Sequence, residues 1–96
     1  MSSYDVSDGA EADMFRVYFF GMERFGIVPA RRFIIDLHMT FALLAENPRL
    51  GRLAPSIRAG VRRHEHRSHV IVYEEKIDGV LILAVFHASS VKRLAL

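Results

Sequence analysis

The chain has 96 residues, 51% of them hydrophobic and 25% charged, and no cysteine. This is the make-up of one globular domain over residues 1–96, not of a disordered or disulfide-stapled chain. The net charge of +2 conceals four Arg against seven Asp and Glu in residues 1–48 (net −3) and nine Lys and Arg against four Asp and Glu in 49–96 (net +5), a basic half suited to an acidic partner protein or a nucleic acid.

No apolar run reaches the roughly 20 residues that cross a bilayer. The opening Met-Ser-Ser-Tyr-Asp-Val-Ser-Asp has neither the basic nor the apolar region of a signal peptide. A reducing cytoplasm is therefore the expected compartment, with no membrane contact.

Tyr4 to Ser7 is a short candidate strand. Asp8 followed by Glu11 has capping-box spacing and predicts a helix start near Asp8. Ala10, Met14, Val17, Tyr18, Gly21 and Phe25 repeat at helical spacing up to Gly26, which ends the helix. Pro29 suits the first turn of a second helix, whose core stripe is Ala30, Phe33, Ile34, Leu37, Phe41 and Leu44 and which Asn47-Pro48 stops. The short link predicts an antiparallel helical hairpin. After an Arg-rich connector from Pro48 to Gly60, strands are predicted at 61–66, 69–75 and 80–87, the last two joined by Asp78-Gly79. The fold class is α+β in the order β-α-α-β-β-β, with the helical hairpin packed on one face of a mainly antiparallel sheet.

More apolar surface is present than this architecture covers. Each helix has a second stripe at i, i+4, i+7, with Phe15, Phe19 and Met22 on the first and Ile35, Met39 and Ala42 on the second. In strand 80–87, strict alternation puts Val80, Ile82, Ala84 and Phe86 on one face and Leu81, Leu83, Val85 and His87 on the other. The hairpin covers one face; the connector, the tail Ala88 to Leu96 or another chain must cover the other, and a partner chain is the favoured cover. Phe15, Phe19, Met39 and Leu83 are the candidate partner-binding residues.

His64, His66 and His69 have no Cys and no evident carboxylate beside them. They read as a solvated hairpin edge, and no metal or cofactor is expected. Arg62, Arg63, Tyr73 and His87 supply the cations, phenol and imidazole of a metal-independent ribonuclease. Neighbours on a strand point to opposite faces, however, so only one of Arg62 and Arg63 can join His87. Tyr73 reads equally as a half-buried strand aromatic.

The chain resembles the ParE branch of the RelE/ParE superfamily, the toxins of type II toxin–antitoxin modules. The helical part of the resemblance is Ala10-x-x-Asp13-Met14-x-x-Val17, Phe25-Gly26 and Leu44-x-x-Asn47-Pro48-x-x-Gly51. The strand part is Ile57-Arg58-x-Gly60-x-Arg62, Ser68-His69-Val70-Ile71-x-Tyr73 and Ile82-Leu83-x-Val85-Phe86-His87. It implies a toxin held in a hetero-oligomer by a ParD-like antitoxin and acting on DNA gyrase by binding, with DNA contacted only through the antitoxin. Arg58, Arg62, Arg63, Lys92 and Arg93 would then meet the target. RelE-type relatives imply the alternative, a ribosome-dependent mRNA endonuclease using Arg62 or Arg63, Tyr73 and His87. Ala84 stands where the ParE pattern commonly has Arg, which removes one nuclease cation. Phe15 and Phe19 replace charged or polar residues, and the tail Ser89-Ser90-Val91-Lys92-Arg93 lacks the usual acidic residue.

Overall fold

In the computed structural model, which describes residues 2–93, strand β1 (Ser3–Val6) runs into helix α1 (Asp8–Phe25). The N-cap is Ser7, one residue before the predicted start. Its Oγ accepts the Ala10 N–H at 3.1 Å, which satisfies one of the four free donors at a helix start. Asp8 and Glu11 occupy the first turn, where their charge complements the helix dipole.

Gly26 alone separates α1 from α2 (Ile27–Glu46). Its φ of +94° favours glycine, and its N–H closes α1 on the Met22 carbonyl at 3.0 Å. Asn47 closes α2, donating its backbone N–H to Leu43 and Leu44 and its side-chain amide to Leu43.

Beyond the connector lie β2 (Arg52–Leu53), β3 (Val61–His66), β4 (His69–Lys76), β5 (Gly79–His87) and a helical turn α3 (Ala88–Arg93). Among the described residues the strands form one sheet in the order β1-β5-β4-β3-β2. The β1–β5 pair is parallel and the others are antiparallel. β2 lies inside the predicted connector and α3 inside the predicted tail. At the β4–β5 turn, Gly79 has a φ of +153° and its Cα faces the Ser3 backbone, so a side chain there would collide with β1.

The helices bury Ala10, Met14, Leu37, Phe41 and Leu44 against Ile71, Tyr73, Val80, Ile82 and Val85 of the sheet. Strict alternation fails along β5. Tyr73 pairs with Ile82 and Val72 with Ala84, leaving Leu83 as an extra residue. This bulge switches the phase. Val80, Ile82 and Val85 therefore face the helices, whereas Leu83, Ala84 and Phe86 pack with Val61, Val70 and Val72 on the far side. That far side also differs from expectation, because Ala54 and Ile57 of the connector cover part of it without a second chain.

Asp13 explains its place in the motif. Past the end of β1, its Oδ2 accepts the Val85 N–H at 2.9 Å, and Ser7 Oγ donates to the Leu83 carbonyl at 3.2 Å. Helix α1 thus continues the hydrogen bonding that β1 begins, and fixes the hairpin on β5.

Candidate functional site

Tyr73, fully buried, is a clamp for the connector. Its hydroxyl donates to the Pro48 carbonyl at 2.7 Å and accepts the Gly51 N–H at 2.8 Å. Arg62 donates to the Gly51 carbonyl at 2.8 Å from the neighbouring strand. Gly51 has no room for a side chain, since a Cβ would lie 2.6 Å from the Tyr73 hydroxyl and 2.7 Å from the Arg63 carbonyl oxygen. Burial raises the Tyr73 phenol above its ordinary pKa. The segment Asn47-Pro48-x-x-Gly51 is therefore a loop tied down by Tyr73 and Arg62.

These bonds separate the four candidate nuclease residues. Tyr73 and His87 share the helix-facing side, but His87 pairs with His69, four residues along β4 from Tyr73. At about 3.3 Å per residue that is roughly 13 Å. Arg63 points to the opposite face, with its guanidinium 3.2 Å from Glu65 and its Nε buried without a partner. Of the basic residues expected to meet a target, Arg62 ties the connector to the sheet through Gly51, and Arg63 is largely buried beside Glu65 of its own strand. Arg58 is exposed and 3.0 Å from Glu74. Lys92 and Arg93 fall in α3, and their side chains lie outside the described residues.

The apolar candidates do not form one surface. Phe15, Phe19 and Met39 are 60%, 50% and 66% exposed on the outside of the helical hairpin. Leu83, part-buried, lies across the sheet against the connector-covered cluster.

A wide concavity lies elsewhere. At the turn end of the hairpin Phe25 is 70% exposed although it continues the core stripe. Beneath it opens a cleft of about 1190 Å³. Its apolar floor includes Val17, Phe20, Phe33 and Val85, and its rim includes His69, His87, Ser89, Asp36 and Arg67. Arg67, which takes a φ of +56° in the two-residue β3–β4 turn, reaches Asp36 at 3.0 Å and ties that turn to α2.

Behind the cleft, Phe33 packs at a tilt against His66 and His69, with ring centroids 5.6 and 5.1 Å away. These histidines are not the solvated edge that was expected. Thr40 Oγ1 donates to the Asp36 carbonyl, so His66 Nδ1 must carry a proton to bond Thr40 Oγ1 at 3.1 Å. His66 Nε2 is then an unprotonated acceptor, buried without a partner. Burial first, then the Arg67 charge, lowers the His66 pKa; burial, then His87, lowers that of His69. His87 Nδ1 accepts the Ser89 N–H at 3.1 Å. Among the described residues no group of three His, Asp or Glu is placed to hold a metal ion, and no helix is long and apolar enough to cross a membrane.

The sequence carried one sign of the cleft. Phe20 belongs to neither stripe of the first helix, so it is an aromatic with no place in a two-stripe helix. Phe33 and Phe25 were hidden inside the core stripe, because periodicity does not say where the supporting sheet ends.

A helical hairpin on a five-stranded sheet, with a clamped Asn47-Pro48-x-x-Gly51 loop and an open apolar cleft, defines a small toxin fold, and the chain belongs to the ParE toxin family of type II toxin–antitoxin systems (parDE), whose family model matches residues 4–91. It is 33% identical over 89 residues to Toxin ParE1 of Caulobacter vibrioides, covering 93% of this chain and 92% of that one. It is 29% identical over 87 residues to Toxin ParE1 of Mycobacterium tuberculosis, covering 90% and 89%. A solved structure from the chromosomal ParDE TA system of P. aeruginosa superposes with a TM-score of 0.75 at 22% identity, covering 91% of this chain and 96% of that one. The α+β hairpin-on-sheet architecture is thus a ParE architecture.

Proposed function

We propose that this chain is a cytoplasmic toxin that acts by binding, that a ParD-like antitoxin neutralises it by seating an apolar segment in the cleft under the hairpin, and that the freed toxin acts on DNA gyrase. The observation that carries the antitoxin reading is the cleft itself. Its floor of Val17, Phe20, Phe33 and Val85 is far more apolar than a solvated groove needs, and its rim offers both signs of charge. A helix or extended segment with alternating apolar anchors fits such a site. Gyrase enters through the family. The target contact is assigned to Arg58 and to Lys92 and Arg93, because Arg62 is bonded to Gly51 and Arg63 is largely buried beside Glu65. Binding, not bond-breaking, is supported by the commitment of the Tyr73 hydroxyl to Pro48 and Gly51 and by its distance from His87.

The test is a cleavage assay with purified gyrase, ATP and supercoiled plasmid, with the chain alone and with the antitoxin encoded beside it. Linear DNA should accumulate with the free chain and disappear when antitoxin is added. No linear DNA from folded, antitoxin-free chain would overturn the gyrase reading. Phe20→Asp, at an exposed position, should weaken antitoxin binding by at least about tenfold without lowering the melting temperature. Unchanged affinity would move the antitoxin out of the cleft.

A further inference from the structure

The outer face of α2 carries Val28, Arg32, Ile35, Met39, Ala42 and Glu46, spaced alternately four and three residues apart. This is the repeat of helices that pack along a shared seam. All six are exposed, and the stripe runs opposite the residues that α2 buries, Leu37, Phe41 and Leu44. Its polar ends differ in sign. Arg32 lies toward the hairpin turn and Glu46 at the far end, and neither has an ion-pair partner among the described residues.

Laid end for end on a copy of itself, the stripe is self-complementary. Ile35 meets Met39, Arg32 lies over the small Ala42, and the guanidinium groups of Arg31 and Arg32 come within a turn of Glu46 on the other helix. A parallel alignment would instead stack Arg32 on Arg32 and Glu46 on Glu46. Helix α1 shares the same centre. Counting equally from Gly26, Phe15 is level with Leu37, the midpoint of the stripe, and Phe15 stacks on Phe19 with ring centroids 5.9 Å apart. By the same count Glu11 falls opposite Phe19 of the other copy, so no two carboxylates of this helix are set level across the axis.

We propose that this face pairs with the same face of a second copy of the chain, in an antiparallel two-fold arrangement centred between Ile35 and Met39. Phe15, Phe19, Val28, Ile35, Met39 and Leu43 are between 48% and 66% exposed. They present on the order of 600 Å² per copy, and the Arg31 and Arg32 stems bring this toward the roughly 800 Å² per partner of a stable interface. A two-fold contact requires one patch that complements itself, which this face is. Of the six stripe residues only Arg32 also lines the cleft, so pairing centred on Ile35 and Met39 leaves the rest of the cleft accessible.

Light scattering on the size-separated, antitoxin-free chain, from roughly 1 to 200 µM, tests the assignment. The mass should rise from 10.9 kDa toward twice that value with a micromolar midpoint. Met39→Glu, at an exposed position, should stay at the single-chain mass with an unchanged melting temperature. Arg32→Glu should weaken pairing by about tenfold, and Arg32→Glu combined with Glu46→Arg should restore it. A wild-type chain that keeps the single-chain mass throughout would overturn the proposal, as would failure of the double reversal to recover pairing. So would hydrogen exchange in which residues 28–46 are protected only when antitoxin is bound, since the antitoxin would then be the occupant. None of these readouts involves gyrase or antitoxin affinity, and Met39 and Glu46 lie outside the cleft lining, so the outcome is independent of the proposed toxin activity.

Discussion

Replacing Tyr73 with Phe removes a single oxygen from the interior and leaves the ring in place. That oxygen donates to the Pro48 carbonyl at 2.7 Å and accepts the Gly51 N–H at 2.8 Å, and Gly51 is buried. Both backbone groups lose their partner at once. An unsatisfied buried donor or acceptor costs about 1–3 kcal/mol. The Pro48 side is only part-buried, so water recovers some of its share, and the expected loss is about 2–3 kcal/mol. For a domain of this length each kcal/mol lowers the melting temperature by roughly 4–8 °C, which predicts a drop of about 10–20 °C. Urea unfolding followed by circular dichroism gives the free energy, and a calorimetric scan gives the midpoint. A loss below about 0.5 kcal/mol would refute the clamp. Toxicity separates the two roles that Tyr73 could have. At a temperature where Tyr73→Phe is folded, growth arrest should persist, whereas arrest abolished in a demonstrably folded variant would return the phenol to the chemistry.

Asp13→Ala should cost about 1–3 kcal/mol in chemical denaturation by stranding the Val85 N–H, and Asp13→Asn should cost less because an acceptor oxygen remains. An alanine variant as stable as wild type would mean that the Asp13 bond does not hold α1 on β5. His66 and His69 both titrate below the ordinary imidazole value, so the unfolded chain takes up their protons first as pH falls. Their contribution is therefore fully present above about pH 6.5 and is lost progressively below it. Urea midpoints at descending pH should fall more steeply for wild type than for a His66→Asn, His69→Gln variant, and parallel curves would show that neither histidine resists protonation in the fold.

The sequence was legible where one element decides its own conformation. The repeats ending at Gly26 and Asn47 locate both helices, and Asp78-Gly79 locates the last hairpin. The strands predicted at 61–66, 69–75 and 80–87 match β3, β4 and β5 to within a residue at each end. What stayed hidden depends on distant partners. The Leu83 bulge is fixed by pairing with Val72 and Tyr73, and no local residue announces it. Connector cover of the far sheet face depends on how the chain after Gly51 is held, which Tyr73 and Arg62 decide from other strands. The same long range obscured the site. Tyr73 and Arg62 looked like chemistry because their residue types suit it, and only their bonds to the loop show them to be supports. Phe25 looked like core because periodicity carries no information about the length of the sheet beneath it.

The parallel pairing of β1 with β5 also constrains the order in which the fold can be completed. Ser3 to Val6 pair with Gly79 to Ile82, so the first strand made during synthesis waits for nearly the last. The helical hairpin can form as soon as its residues emerge, since its contacts are local. Its core face then rests on nothing until β4 and β5 leave the ribosome, because Ile71, Val80, Ile82 and Val85 supply the other half of the core. A polypeptide released early, before about residue 80, would lack that half and could not build the finished toxin. Full-length synthesis thus acts as a checkpoint, and the interval before it exposes apolar helix surface to whatever else is being made nearby.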